Sequence, residues 1–438
     1  MSPIEIGILI GLVTVLVLGS GIPVAFGLTA VALFFLAIFE GPDSLIFTGE
    51  LFFSGLSNFT LVSIPMFIAM GAAVASSPAG SDLYGALDRW LTRVPGGLAI
   101  SNIGACSIFA ALSGSSPATC AAIGKMGIPE MRKHGYPEEL ATGSIAAGGT
   151  LGILIPPSVT MIIYGISTGT SIGRLFIAGV LPGLMLTLLF IGWSMYYSLR
   201  SGTFAKSSRR HFSLREKIEQ VPRVLPFLLI IAGILYALYG GVATPSEAAG
   251  VGAMLCFILI AVIYGIRKPK QIWDILSTST RESVMIMMII GAAELLSYTL
   301  SSLFITQSIA EWIATVGVNR WLLLAIINVF LLIAGFFLPP VAVILMTAPI
   351  LLPIILQAGF DPYWFAVVLT INMEIGLITP PVGLNLYVIK GIVPDVGLPQ
   401  ILRGTIPFVL LMLLSIILLC VFPEIATWLP ERLMGVSG

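Results

Sequence analysis

The sequence predicts an all-α polytopic membrane protein built from two inverted repeats, each with a re-entrant hairpin and a broken helix. Three observations carry this. The 438 residues are 57% hydrophobic and 10% charged, against about 25% charged in a soluble globular chain. Mean hydropathy is +1.05, and apolar runs near the ~20 residues needed to span a bilayer recur from end to end. Secondly, two consecutive prolines interrupt an apolar stretch twice, in GGTLGILIPPSVTMIIYG (148–165) and in NMEIGLITPPVGLNLYVI (372–389). Thirdly, one shift of 224 residues lays Gly152 on Gly376, Pro156-Pro157 on Pro380-Pro381 and Pro129 on Pro353. Gly71-Ala72-Ala73 meets Gly291-Ala292-Ala293 at a shift of 220, and Gly27 and Ala30 meet Gly250 and Ala253 at 223. Any one match between greasy helices is weak. A near-constant shift is an internal duplication.

The first repeat, 1–200, reads as spans 4–19, 24–39 and 58–76, an amphipathic stretch from Asp82 to Arg93, a hairpin 98–128, a broken helix 139–165 and a last span 175–199. The second, 224–425, repeats that order as 224–240, 246–264, 283–304, 308–318, hairpin 321–356, broken helix 363–389 and 405–423. Residues 201–223 form a linker and 426–438 a C-terminal tail. The arms of 98–128 are too short and too rich in small residues to cross comfortably, so the segment enters and leaves on one side. Five crossings per half then force the second half to run upside down.

Basic residues test that count, because short loops rich in Lys and Arg stay cytoplasmic. With the linker inside, eighteen of the 21 Lys and Arg fall inside, leaving Arg174, Arg320 and Arg432 outside or at a boundary. Ten crossings with both termini outside satisfy the charges. The first apolar run has no basic region before it, so we read no separate signal peptide. Formal net charge is zero and no basic patch of nucleic-acid type occurs. The four cysteines lie in apolar segments without metal-ligand spacing. The two histidines, His134 and His211, have no acid–base partner in sequence, and no nucleophile–base pair argues for an enzyme. No Gly-rich GK[ST] loop exists, so ATP is not expected as the energy source.

Paired prolines remove two backbone donors and block the helix, freeing carbonyls on the preceding turn. In lipid that is costly unless the freed groups face protein, a cavity or an ion, and paired breaks in corresponding halves point to a transport site near mid-membrane. The first cluster is Ser113-Gly114-Ser115-Ser116-Pro117-Ala118-Thr119, with Asn102 two to three turns earlier, facing Gly148–Gly152 and Ile155-Pro156-Pro157-Ser158. The second is Gly335 and Leu338-Pro339-Pro340 with Gly376, Thr379, Pro380-Pro381, Val382 and Asn385. Carbonyl and hydroxyl oxygens without carboxylates suit Na⁺ rather than a transition metal, and two clusters imply two or more ions. Small residues that merely let helices pack closely are the plainer reading of the same positions. Helix N-termini after each break present positive dipole ends to an organic acid anion. Ser115, Thr119, Pro157, Ser158, Pro340, Pro381 and Asn385 are the candidate substrate contacts. Among carboxylates, Glu247 reads as a helix cap. Glu294 must face protein or a cavity, Glu374 directly precedes the second break beside Asn372, and either of the two relays protons or steadies the loop.

SGSSPATCAAIG (113–124), GGTLGILIPPSVTMIIYG and NMEIGLITPPVGLNLYVIKG (372–391) resemble the signature segments of the large membrane subunit of TRAP transporters, the tripartite ATP-independent periplasmic transporters. The resemblance covers essentially the whole chain. It implies the ion-transporter superfamily fold with an elevator-like moving domain, in the bacterial inner membrane. It also implies Na⁺-coupled uptake of an organic acid such as a C4-dicarboxylate or sialic acid. The partners implied are a periplasmic substrate-binding protein and a small four-helix membrane subunit. The family's first Na⁺ site would fall on Ser113, Ser116, Gly152, Ile155 and Pro156, and its second on Gly335, Leu338, Gly376, Thr379 and Val382. A standalone divalent-anion/Na⁺ symporter of the same fold, needing no soluble partner, is the alternative.

Overall fold

The computed structural model describes residues 1–201, 212–316 and 319–435, the side chains at 310, 313, 314 and 316 apart. All regular structure in these residues is helical. Lys206, Arg209 and Arg210 of the basic linker lie outside the described residues. Capping chemistry sets many helix starts. Ser2 and Thr244 each form a capping box, with Glu5 and Glu247. Asp361 accepts from the amides of Tyr363 and Trp364, both at 2.8 Å. Each side-chain oxygen meets an amide that the first helical turn leaves without a partner. Glu247 is thus a cap, as its Pro245-Ser246 context indicates.

The two halves repeat one order of elements. Pro3–Gly19 and Val24–Phe39 correspond to Val221–Tyr239 and Pro245–Ile263. Ser63–Ala75 packs against Pro245–Ile263, and Pro269–Ser302 against Val24–Phe39, so each repeat's early spans pair with those of the other. These helices form one layer. The amphipathic helices Ala79–Leu91 and Ile305–Val316 then lead across to a second layer. It holds the hairpins Gly97–Ser113/Ser116–Lys133 and Arg320–Phe337/Pro340–Gln357, and the broken helices Glu138–Thr150/Val159–Thr168 and Pro362–Leu377/Leu384–Ile392. The long last spans Ile172–Arg200 and Leu398–Val421 complete this layer. The repeats also interlock here: Pro340–Gln357 packs on Val159–Thr168, and Leu384–Ile392 on Ser116–Lys133. Glycine makes one crossing possible. A Cβ on Gly404 would lie 2.9 Å from the carbonyl carbon of Glu139, which brings Leu398–Val421 against Glu138–Thr150 backbone to backbone.

Seven helices among the described residues are long and apolar enough to cross a bilayer, and a bent pair, Pro42–Leu56 with Phe59–Ala75, makes an eighth at a 59° bend. Pro3–Gly19 and Val24–Phe39, at 17 and 16 residues, are shorter apolar helices. Both arms of the second hairpin pass the length test. The turn at Leu338-Pro339 makes them a hairpin, because it lies against the second break: the Val382 amide donates to the Phe336 carbonyl at 3.2 Å.

The structure adjusts two expectations. The third span of the first half begins earlier than 58, with helix Thr48–Leu56 ahead of the bend. Its counterpart is not 283–304 but a continuous 34-residue helix, Pro269–Ser302. Polar residues on one face of its first four turns hide the helix from a hydropathy reading. The C-terminal segment carries a helix, Glu424–Met434, that packs on Ile172–Arg200.

Candidate functional site

The prolines at 156 and 157 remove the donors that an α-helix would direct at the carbonyls of Gly152 and Ile153. The chain takes a short 3₁₀ turn at Leu151–Ile153 and restarts as a helix at Val159. Ser158 mends half of the break: its Oγ donates to the Ile153 carbonyl at 2.5 Å and accepts from the Met161 amide at 3.3 Å. Gly152 lies against the hairpin tip. A Cβ there would be 2.9 Å from both the carbonyl carbon and the carbonyl oxygen of Ser115. The tip turns through Gly114 at φ +57°, a left-handed conformation that favours glycine. Ser113 Oγ pairs with Thr119 Oγ1 at 2.8 Å, and Thr119 Oγ1 donates to the Ser115 carbonyl at 2.8 Å. Ser113, Ser116 and Thr119 are all buried. The backbone of the break thus packs directly on the backbone of the tip.

The second cluster repeats the construction. Pro380 and Pro381 remove the donors to Gly376 and Leu377, and Gly376 packs on the backbone of Gly335, where a Cβ would lie 2.7 Å from the Gly335 carbonyl carbon. Thr379 Oγ1 donates to Ile375 O at 2.7 Å, leaving its lone pairs available. Gly383 follows at φ +50°. Both proline pairs are joined by cis peptide bonds. The sites differ in exposure: Gly152, Pro156 and Pro157 are buried and Ile155 half-buried, whereas Pro380, Pro381 and Val382 are exposed.

A cavity of about 1150 Å³ opens beside the two tips, ample for a small organic molecule with water. Ser115 and Pro340 line it, together with Ser113, Ser116 and Pro339. The other candidate contacts lie off its wall. Thr119 and Ser158 are buried in tip and break, and Pro157 and Pro381 are absent from the lining. Asn385 moves from the second cluster to the first. Its Nδ2 donates to Ser116 Oγ at 2.8 Å and to the Ala146 carbonyl at 3.1 Å, so one amide from the second repeat ties the first tip to the first broken helix. Asn102 does not reach the tip: its Nδ2 contacts Met131 Sδ at 2.9 Å, between the hairpin arms. Asn372 bonds Asn328 and the Val368 carbonyl, one turn before Gly376. Glu374 is wholly buried. Glu294 is a correction: it faces neither cavity nor core but is exposed, beside Gly55.

Sequence reading missed the cavity's far wall. Pro23, Phe26, Ile68 and Gly71 contribute, with a stripe from Gln271 to Ile289 on Pro269–Ser302. The legible signal was the spacing of Gln271, Asp274, Thr278 and Glu282, one helix face by the 3.6-residue period. Gly71 also brings the layers together, since a Cβ there would be 2.9 Å from Ser113 Cα.

Two broken helices meeting two hairpin tips beside an open cavity, in a two-layer helical membrane protein with swapped repeat contacts, define a secondary transporter of the elevator-type fold. The family described as "Tripartite ATP-independent periplasmic transporter, DctM component" matches residues 9–425. The chain is 39% identical to the C4-dicarboxylate TRAP transporter large permease protein DctM of Pseudomonas aeruginosa, over 90% of this chain and 92% of that one. It is 31% identical to the sialic acid TRAP transporter large permease protein SiaM of Vibrio cholerae, over 95% and 96%. In three dimensions it is similar to the Alcanivorax borkumensis YdaH transporter, at TM-score 0.60 and 14% identity over 89% and 90% of the chains, a likeness of fold. The chain belongs to the DctM-component family of TRAP transporters. It is a transport protein and not an enzyme, a multi-pass protein of the inner membrane.

Proposed function

We propose that this chain carries out Na⁺-coupled uptake of an organic acid anion, moving the hairpin and broken-helix layer against the other layer as an elevator. The observation that carries the reading is the paired close approach of Gly152 to the Ser115 backbone and of Gly376 to Gly335, each on a turn whose carbonyls have lost their proline-blocked donors. Hard oxygen ligands without carboxylates fit Na⁺. Ser113, Ser116, Gly152, Ile155 and Pro156 would hold one ion, and Gly335, Leu338, Gly376, Thr379 and Val382 a second. The repeats divide as 1–200 and 224–425 about the linker 201–223. The cavity borders Pro23, Ser76 and Ile266, at chain turns that the charge pattern assigns to the cytoplasm. This supports a cavity open inward. The relatives' names make C4-dicarboxylates and sialic acids the first substrates to test.

The partners follow from two supports. Glu294 lies exposed inside an apolar stretch of Pro269–Ser302, where bare lipid is a costly neighbour for a carboxylate. A small four-helix membrane subunit covering that face removes the cost. A periplasmic binding protein would deliver the substrate. The test is reconstitution in proteoliposomes with both partners: an inward Na⁺ gradient drives uptake, more than one Na⁺ enters per substrate, and ATP has no effect. Uptake unchanged without Na⁺ under a proton gradient sinks the coupling. Robust uptake of free substrate by this chain alone identifies it as a standalone symporter.

A further inference from the structure

The hairpin tips form one wall of the cavity, and the helix Pro269–Ser302 forms the facing one. Asp274, Thr278, Arg281, Glu282 and Met285 lie along that wall at helical spacing. Arg281 is the single Lys, Arg or His among the lining residues. It is exposed to the cavity, and among the described residues no carboxylate stands within ion-pair distance of it. Asp274 and Glu282 share its wall without closing on it. A guanidinium on the span-forming helix, lining an open cavity and held by no fixed counter-ion among the described residues, is placed for a transient one. Its planar fork of N–H donors matches a carboxylate in a bidentate way that a Lys ammonium would not. Across the cavity, the hydroxyl of Ser115 offers a neutral hydrogen-bonding group.

We propose that Arg281 is the cation of a carboxylate-binding subsite on the non-hairpin wall, engaging the transported anion while the cavity is open on the side of Ser76 and Ile266. The proposal rests on the reading of this chain as an organic-anion transporter and deepens it by naming the substrate group and its receptor. Asp274 and Glu282 on the same wall more than offset the positive charge, so the anion is held by the guanidinium's own fork of N–H donors and is not trapped. In this arrangement the tips and ions carry the substrate, and Arg281 receives its carboxylate at the wall.

The test uses the complex reconstituted with both partners, and measures Na⁺-coupled transport of succinate and of N-acetylneuraminate presented at the face on which the cavity opens, beside Ser76 and Ile266. Arg281→Gln is expected to raise the KM of the transported acid at least tenfold, with half-saturation for Na⁺ unchanged. Arg281→Lys should retain an intermediate KM. In Arg281→Cys, a cationic aminoethyl methanethiosulfonate should restore uptake and an anionic sulfonatoethyl reagent should not. A KM for Arg281→Gln within twofold of the parent, or equal rescue by both reagents, overturns the subsite and leaves the transport reading standing. Failure of the unaltered complex to take up either acid with Na⁺ overturns the transport reading and the subsite together. A parallel change in Na⁺ half-saturation assigns Arg281 to the ion sites and also overturns the subsite.

Discussion

Gly376 has no space for a methyl group. A Cβ there would lie 2.7 Å from the carbonyl carbon of Gly335, and neither backbone can yield without moving the hairpin tip from the break. Gly376→Ala is therefore expected to cost about 1–3 kcal/mol by overpacking and to weaken the protection Na⁺ gives against thermal unfolding. Melting curves with and without Na⁺ check both, and an unchanged Na⁺ shift would remove Gly376 from the ion site. Glu374 is the opposite case. It is 0% exposed, and neither carboxylate oxygen has a hydrogen-bond partner among the described residues. An unpaired buried charge costs several kcal/mol, so the neutral isostere Glu374→Gln is expected to melt no lower than the parent. A drop of several degrees would show that the charge is matched in the folded protein. Both residues stand out in the sequence, since glycine before paired prolines and a lone carboxylate in an apolar run are visible locally. Asn385 does not, because its partners Ser116 and Ala146 are more than two hundred residues away.

At the scale of elements, an ion-paired link ties the two repeats together at one end of the hairpin layer. Arg132 joins the hairpin arm Ser116–Lys133 to Glu138 at 2.8 Å and to Asp395 of the second repeat at 2.9 Å. The Arg132 hydrogen bonds hold the Asp395 carboxyl below the usual carboxylate range. A folded-state value below the unfolded one contributes stability at neutral pH, fully present above the unfolded pKa and lost as pH falls through the folded value. Acidification below about pH 4 should release this link. Asp395→Asn should abolish that acid-dependent component while changing little at pH 7, where an exposed pair contributes modestly. Thermal melts of parent and variant between pH 3 and 7 read the difference, and parallel profiles would exclude the link. Helix existence was largely legible from apolar runs and prolines. Helix Thr48–Leu56 and the first turns of Pro269–Ser302 were not. The polar face of the latter looks like loop until the cavity is seen.

For the whole molecule, the arrangement of charge makes a topological prediction. With the basic linker inside, Ser213→Cys should resist a membrane-impermeant thiol reagent in intact cells and react after permeabilisation. Labelling in intact cells would invert the orientation of both repeats. The native Cys106, Cys120 and Cys256 are buried and Cys420 half-buried, so Cys420→Ser is combined with Ser213→Cys to keep the background low.

Composition and the 224-residue shift by themselves determine a membrane protein with two repeats and two proline-broken helices, because hydropathy, proline and glycine act on the backbone where they stand. An odd number of crossings per half, as the sequence predicts, would make the repeats antiparallel, a matter of counting. Tertiary structure alone decided that the first break is closed while the second is exposed. It also decided that Asn385 serves the other repeat's cluster, that Glu294 faces outward, and that Arg281 looks into the cavity. Each of these depends on which face of a helix meets which neighbour. That is set by packing between residues far apart in the chain, and an apolar sequence with glycine on several faces leaves it open until the layers come together.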